Sequence, residues 1–316
     1  MDRAVDQVRT VVRTVTAGAE HLRTRAPRAV AALRLVLYLC AVAVVAVMAY
    51  LASRDVHPSS LRPWPLLGAF ALALVWWSCL ALGWGFLVGD TRRHGAVASW
   101  CRTQVARYLP GGIWAVAARA TTVRGRLRDK FTAVTVENVI VLLTALAVGG
   151  AWSAAHDVRW LPLVALAAVP LVGSRWLERR TRVTGRAVRR TEATYAVGYV
   201  AYGVLAVLVQ AAVSGWPEPS QLLSVAGAAC VAWAVGLVVV FAPGGLGVRE
   251  LVYVGMLAGV YPRGELLAAA VASRLVMILA ELVVLAVTAR PGSPRPGQPA
   301  DALSSPTSRT RTEGSR

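Results

Sequence analysis

Lysine is nearly absent: Lys130 is the only one among 34 basic residues, and charged side chains of both signs make up only 16% of 316 positions. So few charges beside 56% hydrophobic residues and a mean hydropathy of +0.55 exclude an ordinary soluble domain and make lipid the expected solvent. The arginine bias, with abundant Ala and Val, fits a GC-rich genome and carries no mechanism. Cysteine is scarce: Cys40, Cys79, Cys101 and Cys230 lie far apart without CxxC spacing, which excludes a thiolate metal motif and leaves packing as their role. Histidine is equally scarce. His21, His57, His94 and His156 fall in links between apolar runs with no acidic or thiol partners at ligand spacing, so no metal or other cofactor is expected. Strand-length alternation is missing too, which argues against a membrane β-barrel.

What the chain does contain is long apolar runs, at roughly 30–52, 64–89, 131–152, 160–177, 193–214, 222–241 and 266–289. A bilayer core of about 30 Å needs about 20 such residues per crossing helix. The net charge of +18 comes from arginines gathered in the links, not from a single stripe or a binding motif, so nucleic acid is not an expected partner. Residues 1–29 form a basic arm in which Val8, Val11, Val12, Val15, Ala19 and Leu22 share a helical face, the pattern of an interfacial cytoplasmic helix. That arm is expected to be retained, because the first apolar run starts too late for a cleavable signal. The tail 291–316, rich in Pro, Ser, Thr and Arg, lacks the apolar surface to fold.

Basic residues mark cytoplasmic links. The arm, the link with Arg175, Arg179, Arg180, Arg182, Arg186, Arg189 and Arg190, and both ends of the stretch 95–123 qualify; the remaining links are short and nearly charge-balanced. The stretch 95–123 therefore enters from inside and turns back at Pro110-Gly111-Gly112. Residues 222–260 must then enter from outside and turn at Pro243-Gly244-Gly245-Leu246-Gly247. The expected fold is an all-α integral membrane protein with about six full transmembrane helices plus two re-entrant helical hairpins in an inverted repeat, spanning 30–290, with both termini cytoplasmic.

Broken helices at membrane depth survive only inside protein or beside a polar cavity. Glycine breaks at helix N-termini also expose N–H groups suited to a phosphate or carboxylate. The first break is framed by Gln104, Arg107, Tyr108, Pro110, Gly111 and Gly112, with Arg119 further on; the second by Pro243, Gly244, Gly245, Gly247, Arg249 and Glu250. Three charges sit deep in apolar runs, Glu137, Arg274 and Glu281, and each is expected to face the interior, since an unpaired charge there costs at least about 2.5–3.5 kcal/mol. A buried ion-pair set that fixes helix register accounts for them as well as a substrate site does. The tryptophans Trp76, Trp77, Trp84, Trp100 and Trp114 are read as interfacial anchors and not as a ligand cage.

The segment from Gln104 through Arg107-Tyr108-Leu109-Pro110-Gly111 to Trp114, Glu137 in the next crossing, Pro243-Gly244-Gly245-Leu246-Gly247-Val248-Arg249-Glu250 and Arg274 together resemble the lysylphosphatidylglycerol synthase transmembrane, or flippase-like, family over about 33–289. Arg107 stands where many relatives carry lysine, and Asn138 where arginine is common. The resemblance implies movement of lipids between the leaflets of the cell membrane, with an anionic, aminoacylated or polyprenyl-phosphate-linked lipid as cargo. The soluble aminoacyl-transferase domain of the larger synthases has no counterpart, so the chain is expected not to be an enzyme. Membrane lipids are the expected partners. The alternative reading is a non-transporting scaffold for a cell-envelope glycosyltransferase.

Overall fold

A computed structural model of the chain describes residues 50, 62–89, 95–104, 118–120, 127–180, 183–239, 243–245 and 247–288. The basic arm, the tail and nearly all of the first apolar run lie outside them. Among the described residues all regular structure is helical: α1 Pro63–Val88, α2 Ala96–Gln104, α3 Leu127–Ala154, α4 Leu161–Val164, α5 Ala168–Arg180, α6 Gly185–Ser214, α7 Pro219–Val238, α8 Val248–Leu257 and α9 Arg263–Thr288. Six stretches are long and apolar enough to cross a bilayer: Pro63–Val88, Phe131–Ala154, Val158–Arg179, Gly185–Ser214, Pro219–Val238 and Arg263–Thr288. The chain has the all-α architecture of a multi-pass membrane protein.

Local sequence fixes the helix ends. Proline opens α1 and α7 at the first turn, where its missing N–H costs no hydrogen bond. Thr184 caps α6 by accepting from the Ala187 N–H at 3.2 Å, and Gly89 closes α1 in the left-handed region at φ +74°. The Val158–Arg179 stretch alternates short 3-10 and α pieces. The expected arginine link between the fourth and fifth runs is mostly helix: α5 continues to Arg180 and α6 starts at Gly185. Arg175, Arg179, Arg186, Arg189 and Arg190 therefore project, exposed, from helix ends, which suits a residue of good helix propensity with a long stem.

The helices α1 and α6 run antiparallel. The Arg62 N–H donates to the Ala212 carbonyl at 3.0 Å near one end, and the Thr191 hydroxyl donates to the Gly83 carbonyl at 2.9 Å near the other. Small residues permit this approach: Gly83 receives the Tyr195 ring, and Gly198 lies against Cys79. The same device joins α3 to α7, where Gly149 meets Cys230 and Gly227 meets Ser153. The described cysteines, Cys79, Cys101 and Cys230, are buried and free.

Four of the tryptophans read as interfacial anchors are interior instead. Trp76, Trp77 and Trp84 are at most 1% exposed and Trp100 is 2% exposed. Trp76 meets Trp77 edge-on at 4.8 Å between ring centroids and packs on Tyr202 and Trp233. The bundle spends its largest apolar surfaces on its own interior, where ring contacts add to burial. Trp114 lies outside the described residues.

Connectivity follows from these contacts. Helices α7 and α9 start at the end where α6 finishes, and α3 finishes there too, since its Gly149 and Ser153 meet the early part of α7. Consequently α1 ends, and α3 begins, at the opposite end. Helix α7 is followed by a turn and by α8, which packs back along it. The Tyr261 hydroxyl then donates to Gln221 Oε1 at 2.8 Å, returning the chain to the end where α7 began. Burial, with Glu265 and Glu218 beside it, holds that phenol above its usual pKa, so Tyr261 remains a donor.

Candidate functional site

The turn between α7 and α8 falls at the second break read from the sequence. Its residues Gly244, Gly245 and Gly247 have φ of +60°, +71° and +80°, a run of left-handed positions that side chains other than glycine rarely adopt. The turn reaches the middle of the bundle. Glu250, in the first turn of α8, pairs with Arg274, the twelfth of the 26 residues of α9. Glu250 is 7% exposed, and its second oxygen has no hydrogen-bond partner.

A second buried pair lies across from the turn. Arg119 donates to Glu137 Oε2, and the Trp100 indole N–H donates to Glu137 Oε1 at 2.7 Å. The Arg119 guanidinium is also stacked near the Trp84 and Trp100 rings, at 5.6 and 5.2 Å from their centroids. Asn138 turns away and donates to the Val134 carbonyl of its own helix. Each glutamate is thus held by an arginine from a different segment, as a charge out of water requires.

Between the two pairs stands Arg249, its guanidinium 3.3 Å from the centroid of Trp233. Gly236 and Gly245 make room for it, since a methyl on either would overlap its side chain. Arg249 borders two cavities. The larger, of about 450 Å³, extends from Arg119, Glu137, Gln104 and Trp100 to Gly236, Gly244 and Gly245. The smaller, of about 80 Å³, is lined by Trp76, Tyr202, Tyr253, Glu250, Ser273 and Arg274, among others, and has room for a few waters. Among the described residues, the charged side chains lining the two are three arginines, Arg119, Arg249 and Arg274, against two glutamates, Glu137 and Glu250.

One wall of the larger cavity is of a different kind. Thr135 and Val139 of α3 and Val238 of α7 line it while facing outward, with Val139 44% and Val238 59% exposed. Helices α3 and α7 touch at Gly149 and Gly227, and these exposed residues of the same two helices give the cavity, among the described residues, a largely apolar side mouth.

Of the residues singled out by sequence, the structure brings Gln104, Arg119, Glu137, Gly244, Gly245, Arg249, Glu250 and Arg274 around these cavities. Pro243 opens the turn, and Gly247 caps α8. Glu281 is buried on α9 beyond Arg274 and lines neither cavity. Arg274, seven residues before Glu281 on α9, is largely buried as well and pairs with Glu250 at the turn. Arg107, Tyr108, Pro110, Gly111 and Gly112 lie outside the described residues. Sequence reading took Trp100 for an interfacial anchor, and it missed Trp233 and Tyr253, which pass for ordinary core residues, and Glu192, which stands one position ahead of its apolar run. Among the described residues no cluster of three or more His, Cys, Asp or Glu that could hold a metal ion occurs. No protein-family model matches the chain, and no curated protein matches it.

Proposed function

We propose that the protein is a non-enzymatic lipid translocator of the flippase-like kind, which passes an anionic headgroup between leaflets through the larger cavity while the acyl chains stay in the bilayer. The observation that carries this reading is the union of an arginine-rich interior with a sideways, apolar mouth at Val139 and Val238. A soluble anion has no use for such a rim, whereas a lipid needs both parts. The excess of arginine over glutamate favours a phosphate or carboxylate headgroup, with Arg249 as the central contact and the glycine turn allowing close backbone approach. The sequence resemblance to the flippase-like family supports the same reading.

The end where α5 meets α6 displays Arg175, Arg179, Arg186, Arg189 and Arg190, while the other end mixes Arg62, Arg159 and Arg263 with Asp157, Glu218 and Glu265. The positive-inside rule makes the arginine end cytoplasmic, with both chain termini on that side. On this reading the α7–α8 segment is a re-entrant hairpin entering from outside, and the stretch 95–123, mostly outside the described residues, is its inverted counterpart. Exchange of labelled anionic and zwitterionic lipids between leaflets of proteoliposomes tests the function. Wild type is expected to exchange anionic lipid faster, with Arg249→Ala and Arg274→Ala each slowing it at least about tenfold, the factor for one lost charge-assisted contact of about 1.5–3 kcal/mol. Equal exchange of both lipids, or exchange unchanged in both variants, overturns the reading.

A further inference from the structure

Glu192 of α6 is 8% exposed, and neither carboxylate oxygen has a hydrogen-bond partner. It is the eighth residue of α6, so it lies about 10 Å inside the arginine-rich end. Three residues on, along the same helical face, stands Tyr195, fully buried, whose hydroxyl lies beside Glu137 without completing a hydrogen bond. Partnerless polar atoms of this kind mark the place of a mobile partner that the protein atoms themselves do not supply.

The size of that partner is limited. Glu192 lines neither of the two cavities, and among the described residues it belongs to no cluster of three or more His, Cys, Asp or Glu that could hold a metal ion. The helices packed against α6 present Cys79 on α1, Glu137 on α3, Glu178 on α5, Cys230 on α7 and Glu281 on α9. Glu178 is committed to the Gly185 N–H, Glu137 to Arg119 and Trp100, and on α6 itself Arg190 lies over Phe86. None of these acts electrostatically on Glu192. The remaining cation small enough is a proton.

We infer that Glu192 is a proton-binding site, loaded from the arginine-rich end. The balance is simple: the carboxylate takes one proton from water at that end and returns it to water, so only O–H bonds are made and broken. The proton site does not rest on reading the larger cavity as a headgroup site.

Infrared difference spectra of the protein in proteoliposomes, taken between about pH 5 and pH 9, read buried carboxyl groups directly and bracket the range over which buried glutamates titrate. The expected result is a carboxylic C=O band that titrates, is lost in Glu192→Gln and shifts in Glu192→Asp, the latter serving if the glutamine variant fails to fold. No titrating band, or a band untouched by both variants, overturns the proton site. If wild type moves no lipid at all, the translocator reading fails and the infrared titration still decides the proton site.

Discussion

Glu137 is 1% exposed and touches Arg119 and Trp100, so two neighbours depend on its charge. Truncating one member of a buried pair leaves the other charge unanswered, which costs about 3–5 kcal/mol, whereas replacing both by apolar groups of similar size is often near neutral. Glu137→Ala is therefore expected to lower the thermal stability of the detergent-solubilised protein sharply, and Arg119→Met with Glu137→Leu to recover much of the loss. Additive losses in the double variant would mean that the two charges do not answer one another. At this scale the sequence told which charges are buried, because a glutamate in an apolar run has few other places to go. It did not tell who answers them. Arg119 precedes Glu137 by 18 residues, and Glu250 precedes Arg274 by 24, separations at which helical periodicity carries no information. Glu192 escaped for a related reason, since the polar first turns of α6 hide that its buried face, with Val188, Thr191 and Tyr195, has already begun.

The α7–turn–α8 element was legible as a break from Pro243 and its glycines alone, because proline and glycine act on the backbone wherever they occur. The cradle for Arg249 was not. It needs Gly236, thirteen residues earlier on the opposing arm, and a glycine inside an apolar run looks like any other small packing residue. A methyl at 236 would meet the stem of the Arg249 side chain, close to the backbone where it cannot swing aside. Gly236→Ala is expected to push Arg249 off the Trp233 ring and reduce lipid exchange nearly as far as Arg249→Ala does. Combined with Arg249→Ala it should add little further loss, since the clash is gone. Exchange in Gly236→Ala equal to wild type would show that Arg249 needs no fixed seat. The base of the hairpin is held separately. Tyr253 donates to Gln210 Oε1 at 3.0 Å and Tyr261 to Gln221, so a disturbance at the turn leaves the outer half of the element in place.

For the whole molecule, hydropathy finds the helices because lipid imposes one length on every crossing. It cannot assign α7, whose 20 residues suffice to span but whose chain returns through α8 to its own starting end. That return is seen in a hydrogen bond between side chains 40 residues apart, and its sidedness is proposed from where the charges lie. Glu218, ahead of α7, and Arg263, at the start of α9, are both exposed at one end, and Arg186 is exposed at the other. In a background without the native cysteines, Glu218→Cys and Arg263→Cys are expected to react with an impermeant maleimide added outside intact cells. Arg186→Cys should react only after the membrane is opened. The pairing of the first two tests the hairpin, and the contrast with the third tests the orientation. Labelling of 218 and 263 from opposite sides would make α8 part of a crossing, and the central turn would then no longer face the Arg119–Glu137 pair across one cavity. Labelling of both from the cytoplasm, with 186 outside, would keep the fold but invert it. The proton site at Glu192 would then load from the outer side.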